Sequence, residues 1–143
     1  MPAFDKARLS DVFGNDVLHD AEKASASLTH SFGGEAFLKG HFPGFPVVPG
    51  VILLDGMILA ALHNFDRLTR GRSGEVESVA IESVGFYRPV LPGKAASFVA
   101  RLDSFDEAGG RFATKCSVMI EGTRQARASM TFHTRSDASR AST

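Results

Sequence analysis

The pattern of apolar and polar residues divides the 143-residue chain into one long apolar segment and several shorter alternating ones. The long segment, "VILLDGMILAALHNFDRL" (51–68), is apolar nearly all round, and its length predicts a helix of about four to five turns inside the domain. Short turn sequences separate the strand-like runs that follow it, which is typical of an antiparallel meander. These runs are residues 76–90, 95–105, 111–120 and 124–134.

The remaining segments carry weaker patterns. Residues 24–32 alternate and predict a strand, whereas residues 1–20 predict an N-terminal arm that is either a short helix or irregular. Residues 69–75 are rich in Gly, Arg and Ser and predict a surface turn. The tail, 135–143, is polar and small and predicts a flexible end. We therefore expect a single domain over residues 1–143.

One buried helix followed by a meander predicts an α+β fold in which an antiparallel sheet wraps around a long central helix. The alternation in "ASFVARLDSF" (96–105) predicts that the outer face of the sheet meets solvent. An edge strand of such a sheet has unpaired backbone groups that a second copy of the chain can pair with. The pattern therefore favours a homodimer.

Composition excludes several classes of function. Lys plus Arg and Asp plus Glu both number 16, so no net charge favours nucleic acid or an anionic membrane. The start of the chain carries charges where a signal peptide needs an apolar core. The longest apolar stretch, residues 47–62, is too short and too interrupted to span a bilayer. We therefore expect a cytoplasmic protein without nucleic-acid partners.

Metal and thiol chemistry find little support in the sequence. The single cysteine, Cys116, excludes an intrachain disulfide and a Cys-rich metal site, and its apolar surroundings favour packing. Four histidines are scattered without metal-ligand spacing, so we expect surface or core roles for them and no metal or cofactor. These are His19, His30, His63 and His133.

Candidate chemistry is concentrated in the segment "KGHFPGFPVVPGVILLDGM" (39–57). Pro43, Pro46 and Pro49 stiffen the loop that leads into the predicted helix. The N-terminus of a helix presents unpaired backbone N–H groups and a partial positive charge. Gly50 has no side chain, so a ligand carbonyl can approach these donors, which predicts an oxyanion site.

Two side chains of this segment can exchange protons. His41 is the only loop side chain that titrates near neutral pH. Asp55 lies one turn past Val51, on a stripe with Ile58, Leu59 and Leu62 that we expect to face the interior and to raise the carboxyl pKa. Such a pair suits proton abstraction beside a carbonyl with acid assistance to a leaving group. From the residues alone, a structural role for His41 stays open.

The segment "GHFPGFPVVPGVILLDGM" resembles the active-site motif of the β-hydroxyacyl-acyl carrier protein dehydratases of bacterial fatty acid synthesis. A second segment, "VGFYRPVLPG" (84–93), is similar to a strand of that family that ends in Arg-Pro-Val-x-Pro-Gly. The family has the hotdog fold, a long central helix wrapped by an antiparallel sheet, and forms dimers or trimers of dimers. The resemblance therefore implies the same fold and assembly for this chain.

The resemblance also implies a role for each matching residue. His41 would abstract the α-proton of an acyl thioester, and Asp55 of the partner subunit would protonate the departing β-hydroxyl. The Gly50 N–H would hold the thioester carbonyl, and the Val47 carbonyl would orient the His41 ring. The implied substrate-binding residues are Gly50, Val47, Phe45 and Pro49. The implied substrate is a 3-hydroxyacyl thioester of acyl carrier protein or coenzyme A, and no cofactor is required.

Three departures from the family pattern indicate a divergent dehydratase. Asp55 stands where the common branch has Glu; Asp occurs in the branch that also isomerises decenoyl chains, although the loop "FPGFP" resembles the common branch. Leu59 stands where the family often has Gln, and the usual N-terminal Pro-Phe-Leu-Leu-Val-Asp run is missing. An accessory lipid, aryl polyene or polyketide-like pathway is therefore favoured over housekeeping fatty acid synthesis.

Two alternatives share the same fold. One is an acyl thioesterase, which needs a water molecule at the carbonyl, and the other is a non-catalytic acyl-binding subunit, suggested by the missing Gln at position 59. The intact pair of His41 and Asp55 favours the dehydratase, because dehydration needs both proton transfers. Several arginines can meet an acidic carrier protein or simply form a solvated face. They are Arg67, Arg70, Arg72 and Arg88.

Overall fold

A computed structural model describes residues 6–35 and 47–135 of the chain. Within these residues, two α-helices and six β-strands follow one another, with a short 3₁₀ helix at Ser73–Glu75. The helices are α1 (Lys6–Phe13) and α2 (Gly50–Thr69). The strands are β1 (Val17–Asp20), β2 (Ser25–Ser31), β3 (Val76–Phe86), β4 (Ala95–Asp106), β5 (Arg111–Ile120) and β6 (Thr123–Thr134).

All six strands form one antiparallel sheet in the order β1-β2-β4-β5-β6-β3. β1 and β3 are therefore its two edges, although β3 follows directly after α2 in the chain. Alternate residues of β4, β5 and β6 are buried, and helix α2 packs against this inner face. The predicted α+β arrangement, a sheet wrapped around a long helix, is confirmed.

Helix α2 begins and ends where its sequence provides the signals. Pro49 is the N-cap in an extended conformation (φ −59°, ψ 144°), and the helix starts at Gly50, one residue before the predicted start. At the other end Arg70 adopts the left-handed conformation (φ 60°) and donates its backbone N–H to the Asp66 carbonyl. This 5→1 type of closure satisfies one of the carbonyls that every helix end leaves free.

The core is a column of aromatic rings under α2. The ring of Phe112 stacks on Phe65 of the helix at 3.9 Å between centroids and on Phe132 at 4.6 Å. A second group of rings, in which Phe13 and Phe32 meet Phe98 edge to face, closes the opposite end. Burial of apolar surface is the main source of stability in a domain of this size, and these aromatic rings contribute to fixing the helix on the sheet.

Two expectations about local structure are wrong. Val51 was expected on the interior stripe with Asp55, but it is 64% exposed, because the sheet covers the middle of α2 and leaves its first turn open. Strand β1 lies in the predicted arm; all its residues are exposed or half-buried, so hydrophobic patterning does not reveal it.

Strand β3 ends at Phe86, four residues before the predicted end at position 90. Beyond this point the backbone N–H groups of Tyr87 and Arg88 both donate to the Gln125 carbonyl, and Pro89 has no N–H to continue a ladder. None of the helices in the described ranges is long and apolar enough to cross a membrane.

Helix α2 and the sheet approach each other closely at Gly56. A Cβ atom at this position would overlap the ring of Phe98, and both residues are buried. We predict that Gly56→Ala lowers the free energy of unfolding, because overpacking costs about 1–3 kcal/mol and the better helix propensity of Ala returns only about 1 kcal/mol. Urea unfolding measures the change. Gly74→Ala is the control, since nothing lies within 4 Å of its Cβ position; equal stability of both variants would contradict this packing.

Candidate active site

The two motifs of the sequence, although about 40 residues apart, line one cleft. Its volume is about 440 Å³, and it opens beside the N-terminus of α2. The first motif contributes Val47, Val48, Pro49 and Gly50, with Leu53 one turn further along the helix. The second motif contributes Phe86, Tyr87, Arg88, Pro89 and Val90. The second motif carries the family resemblance, but none of its residues is among the catalytic and substrate-binding residues predicted above.

Backbone hydrogen bonds to the second motif hold this cleft together. The Val48 N–H donates to the Val90 carbonyl at 2.9 Å, and the Gly93 N–H donates to the Phe32 carbonyl at 2.9 Å. Phe32 follows strand β2 and Val48 precedes helix α2, so the same short segment anchors both described flanks of the intervening loop. Buried Gln125 supports that segment, since its side-chain amide donates to the Pro89 carbonyl at 3.1 Å.

The helix N-terminus offers hydrogen-bond donors to the cleft. The Pro49 carbonyl accepts from the N–H groups of Ile52 and Leu53, at 3.0 and 3.2 Å, and Pro49 provides no side-chain cap. Within residues 6–35 and 47–135, the N–H of Gly50 has no acceptor. Such a donor at the positive end of a 20-residue helix can bind a carbonyl oxygen on which negative charge develops.

Gly50 is also required by packing. A Cβ atom at this position would lie 2.8 Å from Cζ of Phe86, whose ring covers the glycine. Phe86 is itself 50% exposed, so the ring forms the solvent-facing wall of the cleft. Access for a ligand is the only reason for Gly50 that the sequence suggests. The structure adds a second reason, because the ring of Phe86 occupies the space that a side chain at this position would need.

Asp55 is half-buried on α2, and burial raises the pKa of its carboxyl above the ordinary value. The predicted direction of this shift is confirmed. The carboxyl is not part of the cleft lining, and no hydrogen bond to it is found in the described part of the chain. The structure therefore does not bring Asp55 and Gly50 of the same chain into one cleft.

The remaining site predictions have different outcomes. Val47, Pro49 and Gly50 line the cleft, and their binding of substrate stays a prediction. His41 and Phe45 lie outside the described residues, so their placement stays a prediction. Leu59, at the position where the family often has Gln, is fully buried, so the apolar core accommodates it.

A second group of titratable residues lies at the other end of α2. Burial by itself would raise the pKa of Asp66. Hydrogen bonds from Lys6 and Ser73 outweigh this effect and hold the pKa below its ordinary value. Nearby, the pKa of His63 is lowered to about 4, mainly by burial and also by the charges of Lys6 and His19, while Asp66 acts in the opposite direction. Strand β1 brings His19 to the helix, where it affects the pKa of His63, although the two histidines are far apart in the sequence.

Other polar candidates prove structural. Burial raises the pKa of Cys116 to about 12, and its thiol contacts the Met57 carbonyl at 3.8 Å, as expected for a packing residue. Arg72 pairs with Glu75 at 2.5 Å and with Glu107 at 2.8 Å, so it is not a free cation for a carrier protein. Among the described residues, no group of three potential ligands could hold a metal ion.

Comparison with known proteins identifies relatives of this chain. The model of the family described as "ApeI-like: ApeI dehydratase" matches residues 18–137, which include both motifs. The chain is 33% identical over 117 residues to the 3-hydroxyacyl-[acyl-carrier-protein] dehydratase FabZ of Thermus thermophilus, and the match covers 81% of each protein.

Solved structures show the same fold at low sequence identity. The E. coli PaaI protein from the phenylacetic acid degradation operon superposes with a TM-score of 0.67 at 14% identity, covering 90% of this chain and 88% of that one. The dehydratase heterocomplex ApeI:P from Xenorhabdus doucetiae gives 0.57 at 18% identity, covering 82% of this chain and 93% of that one. The expected hotdog fold is confirmed.

The lowered pKa of His63 predicts an acid-sensitive fold. Its Nε2 is buried without a hydrogen-bond partner in the described structure, so folding favours the neutral ring. The unfolded chain binds this proton near pH 6.5, so the stability that the neutral ring contributes is lost as pH falls from about 6.5 to about 4. We predict that His63→Gln flattens the dependence of the free energy of unfolding on pH in this window.

Chemical denaturation at a series of pH values measures this effect. The control is His133→Gln, which removes a histidine on β6 and should keep the slope of the unmodified protein. An unchanged slope in His63→Gln would show that His63 is not the proton-binding group.

Proposed function

The chain belongs to the ApeI-like dehydratase family, as its two motifs predict, and on this premise we propose that it removes water from a 3-hydroxyacyl thioester. The product is the trans-2-enoyl thioester. The observation that carries this proposal is the convergence of both motifs on one cleft at the N-terminus of α2.

The Gly50 N–H is the proposed site of the thioester carbonyl. Removal of the α-proton places negative charge on that carbonyl oxygen, so a donor that is already in position lowers the barrier. The N–H has no acceptor within the described residues and lies at the electropositive end of α2. Val47 and Pro49 border the same space and leave room for the acyl chain beside Phe86.

His41 is the proposed base and Asp55 the proposed acid. His41 takes the α-proton, the bond between the β-carbon and the hydroxyl breaks, and Asp55 gives its proton to the leaving oxygen, which departs as water. Asp55 suits this role because burial favours its protonated form. The Val47 carbonyl, at the edge of the cleft, would accept from the His41 ring and hold its other nitrogen towards the substrate.

The acid and the base are proposed to come from different subunits. Asp55 follows Gly50 by five residues, which turns its side chain roughly 140° around the helix axis, away from the cleft of its own chain. A second copy can supply the missing acid if the two helices meet at a two-fold axis. This requires an interface near the start of α2 and the neighbouring edge of the sheet.

Strand β3 provides such an interface. It is an edge strand that pairs only with β6 among the described strands, so its other side is free for backbone pairing. Its apolar residues Ile81, Val84 and Phe86 are all exposed, and Val51 of α2 is 64% exposed. Covering these side chains with a second copy would remove apolar area from water, which favours a dimer.

The proposed substrate is carried on acyl carrier protein or on coenzyme A. The Thermus thermophilus relative is named for the carrier-protein thioester, and at 33% identity we transfer the reaction to this chain as a proposal. A thioesterase would instead need an activated water at the carbonyl, and a non-catalytic subunit would need neither proton transfer. A 3-hydroxyacyl thioester distinguishes the three, since dehydration gives enoyl absorbance, hydrolysis gives free thiol and binding gives neither.

We predict that His41→Ala and Asp55→Asn each lower the dehydration rate by about 10²–10⁴-fold while the protein stays folded, because each removes one proton transfer. Formation of enoyl absorbance measures the rate, and circular dichroism checks the fold. Asp55→Glu is the matched control, since it keeps a carboxyl that can be protonated and should retain most of the activity. A folded Asp55→Asn variant as active as the control would remove Asp55 from the mechanism.

The shared site predicts complementation between inactive variants. His41→Ala and Asp55→Ala homodimers should both be inactive, but a heterodimer of the two contains one intact site and one doubly altered site. Statistical assortment of equal amounts then restores roughly a quarter of the unmodified activity. Co-refolding followed by the dehydration assay measures this recovery. Verified heterodimers without activity would mean that both residues act within one chain.

A further inference from the structure

The outer face of the sheet, opposite α2, carries a cleft that is distinct from the proposed active site. Its volume is about 330 Å³, and it crosses strands β4, β5 and β6. We call it the basic cleft and define it by four cations and two hydroxyl groups. These residues are Arg101, Lys115, Arg124, Arg127, Ser117 and Ser129.

Positive charge accumulates in the basic cleft without compensation. Arg101 stands directly opposite Lys115 on the neighbouring strand, an arrangement that destabilises a sheet when both residues carry the same charge. No carboxylate of residues 6–35 or 47–135 pairs with any of the four cations, whereas Arg111 on the same strand as Lys115 pairs with Asp106. Because the whole chain has no net charge, this is a local excess.

The donors present in the cleft are those that recognise phosphate. The Lys115 ammonium donates to the Ser129 hydroxyl at 3.4 Å, and the Arg127 Nε donates to the Tyr87 hydroxyl at 2.5 Å. In the described structure, these contacts leave the terminal nitrogens of the Arg127 guanidinium without an acceptor. A guanidinium fork beside an ammonium and hydroxyl groups matches the oxygens of a phosphate.

The four cations are distributed over three strands. Neighbouring strands are about 5 Å apart, and residues two apart on one strand are about 7 Å apart, so a ligand with several phosphate groups can contact more of these cations at once than a single small anion can. We infer that the basic cleft binds a molecule with two or more phosphate groups, such as a nucleoside diphosphate. Two sources share this chemistry: a free nucleotide, and the nucleotide tail of a coenzyme A thioester.

Tyr87 connects the basic cleft with the proposed active site. Its hydroxyl accepts from Arg127 on the outer face, and Tyr87 also lines the cleft at Gly50. The two clefts therefore adjoin at Tyr87, so one extended ligand can reach from the outer face to the residues proposed to receive the acyl thioester. A second copy of this chain is a poor occupant, because stacking two such faces about a two-fold axis would bring their cations together.

Isothermal titration with ADP tests the inference, with inorganic phosphate as the smaller probe. We expect ADP to bind at low ionic strength, more tightly than phosphate, and to weaken as salt is added. The double variant Arg101→Gln/Lys115→Gln should weaken ADP binding about tenfold or more, because each cation offers a charge-assisted hydrogen bond. Arg111→Gln is the control, since this exposed cation is already paired outside the cleft. No ADP binding, or equal binding by both variants, would overturn the inference.

A kinetic comparison separates the two sources and rests on the proposed function. If the cleft holds the tail of the substrate, the double variant raises the KM for a coenzyme A thioester and leaves that for a phosphate-free pantetheine thioester unchanged. If both KM values stay unchanged while ADP binding weakens, the ligand is a free nucleotide. If ADP does not bind and the double variant raises the KM only for a carrier-protein thioester, the inference is wrong and the basic cleft is a docking surface for the carrier protein. If neither the unmodified protein nor the variants dehydrate any of these thioesters, only the proposed function is contradicted, because ADP binding needs no turnover.

Discussion

The hydrogen bond from the Val48 N–H to the Val90 carbonyl is the contact on which the arrangement of the site depends. It joins the end of the Pro-rich loop to the segment after β3, and the bond between Gly93 and Phe32 fixes the other flank of that loop. Because both bonds use backbone groups, they are independent of side-chain identity. They place the first turn of α2 and the ring of Phe86 against each other, and this contact forms the cleft.

Packing of α2 explains why this arrangement can be rigid. The Phe65, Phe112 and Phe132 rings stack in one column, and Gly56 lets the helix approach Phe98 without a gap. The same burial acts differently on the polar residues of the helix. It raises the pKa of Asp55, which the proposed reaction needs as a protonated acid, and lowers the pKa of His63, which reduces stability in acid. Desolvation therefore shifts the pKa values of an acid and a base on one helix in opposite directions.

Charge is arranged as unevenly as burial. The chain is neutral overall, yet the outer face of the sheet gathers Arg101, Lys115, Arg124 and Arg127 in one cleft. Most other described contacts between charges are ion pairs at the periphery, such as Lys94 with Glu121. The free edge of β3 adds a third feature, exposed apolar side chains beside an unpaired backbone. The proposed active site, the proposed dimer edge and the basic cleft thus lie on three different surfaces, with Tyr87 and Phe86 where they meet.

The sequence by itself determined the features that depend on neighbours along the chain. These are helix α2, whose start was predicted within one residue, strands β2 to β6, and the family, because the Pro-Gly loop and the segment 84–93 are local motifs. Only the tertiary structure decided which distant residues meet. Strand β1 has no buried face that a hydrophobic pattern could reveal. Val51 is exposed because the sheet does not extend over it. His19 approaches His63 only because β1 pairs with β2. The basic cleft likewise depends on strand register, since Arg101 and Lys115 become neighbours through backbone hydrogen bonds between strands that no local pattern encodes.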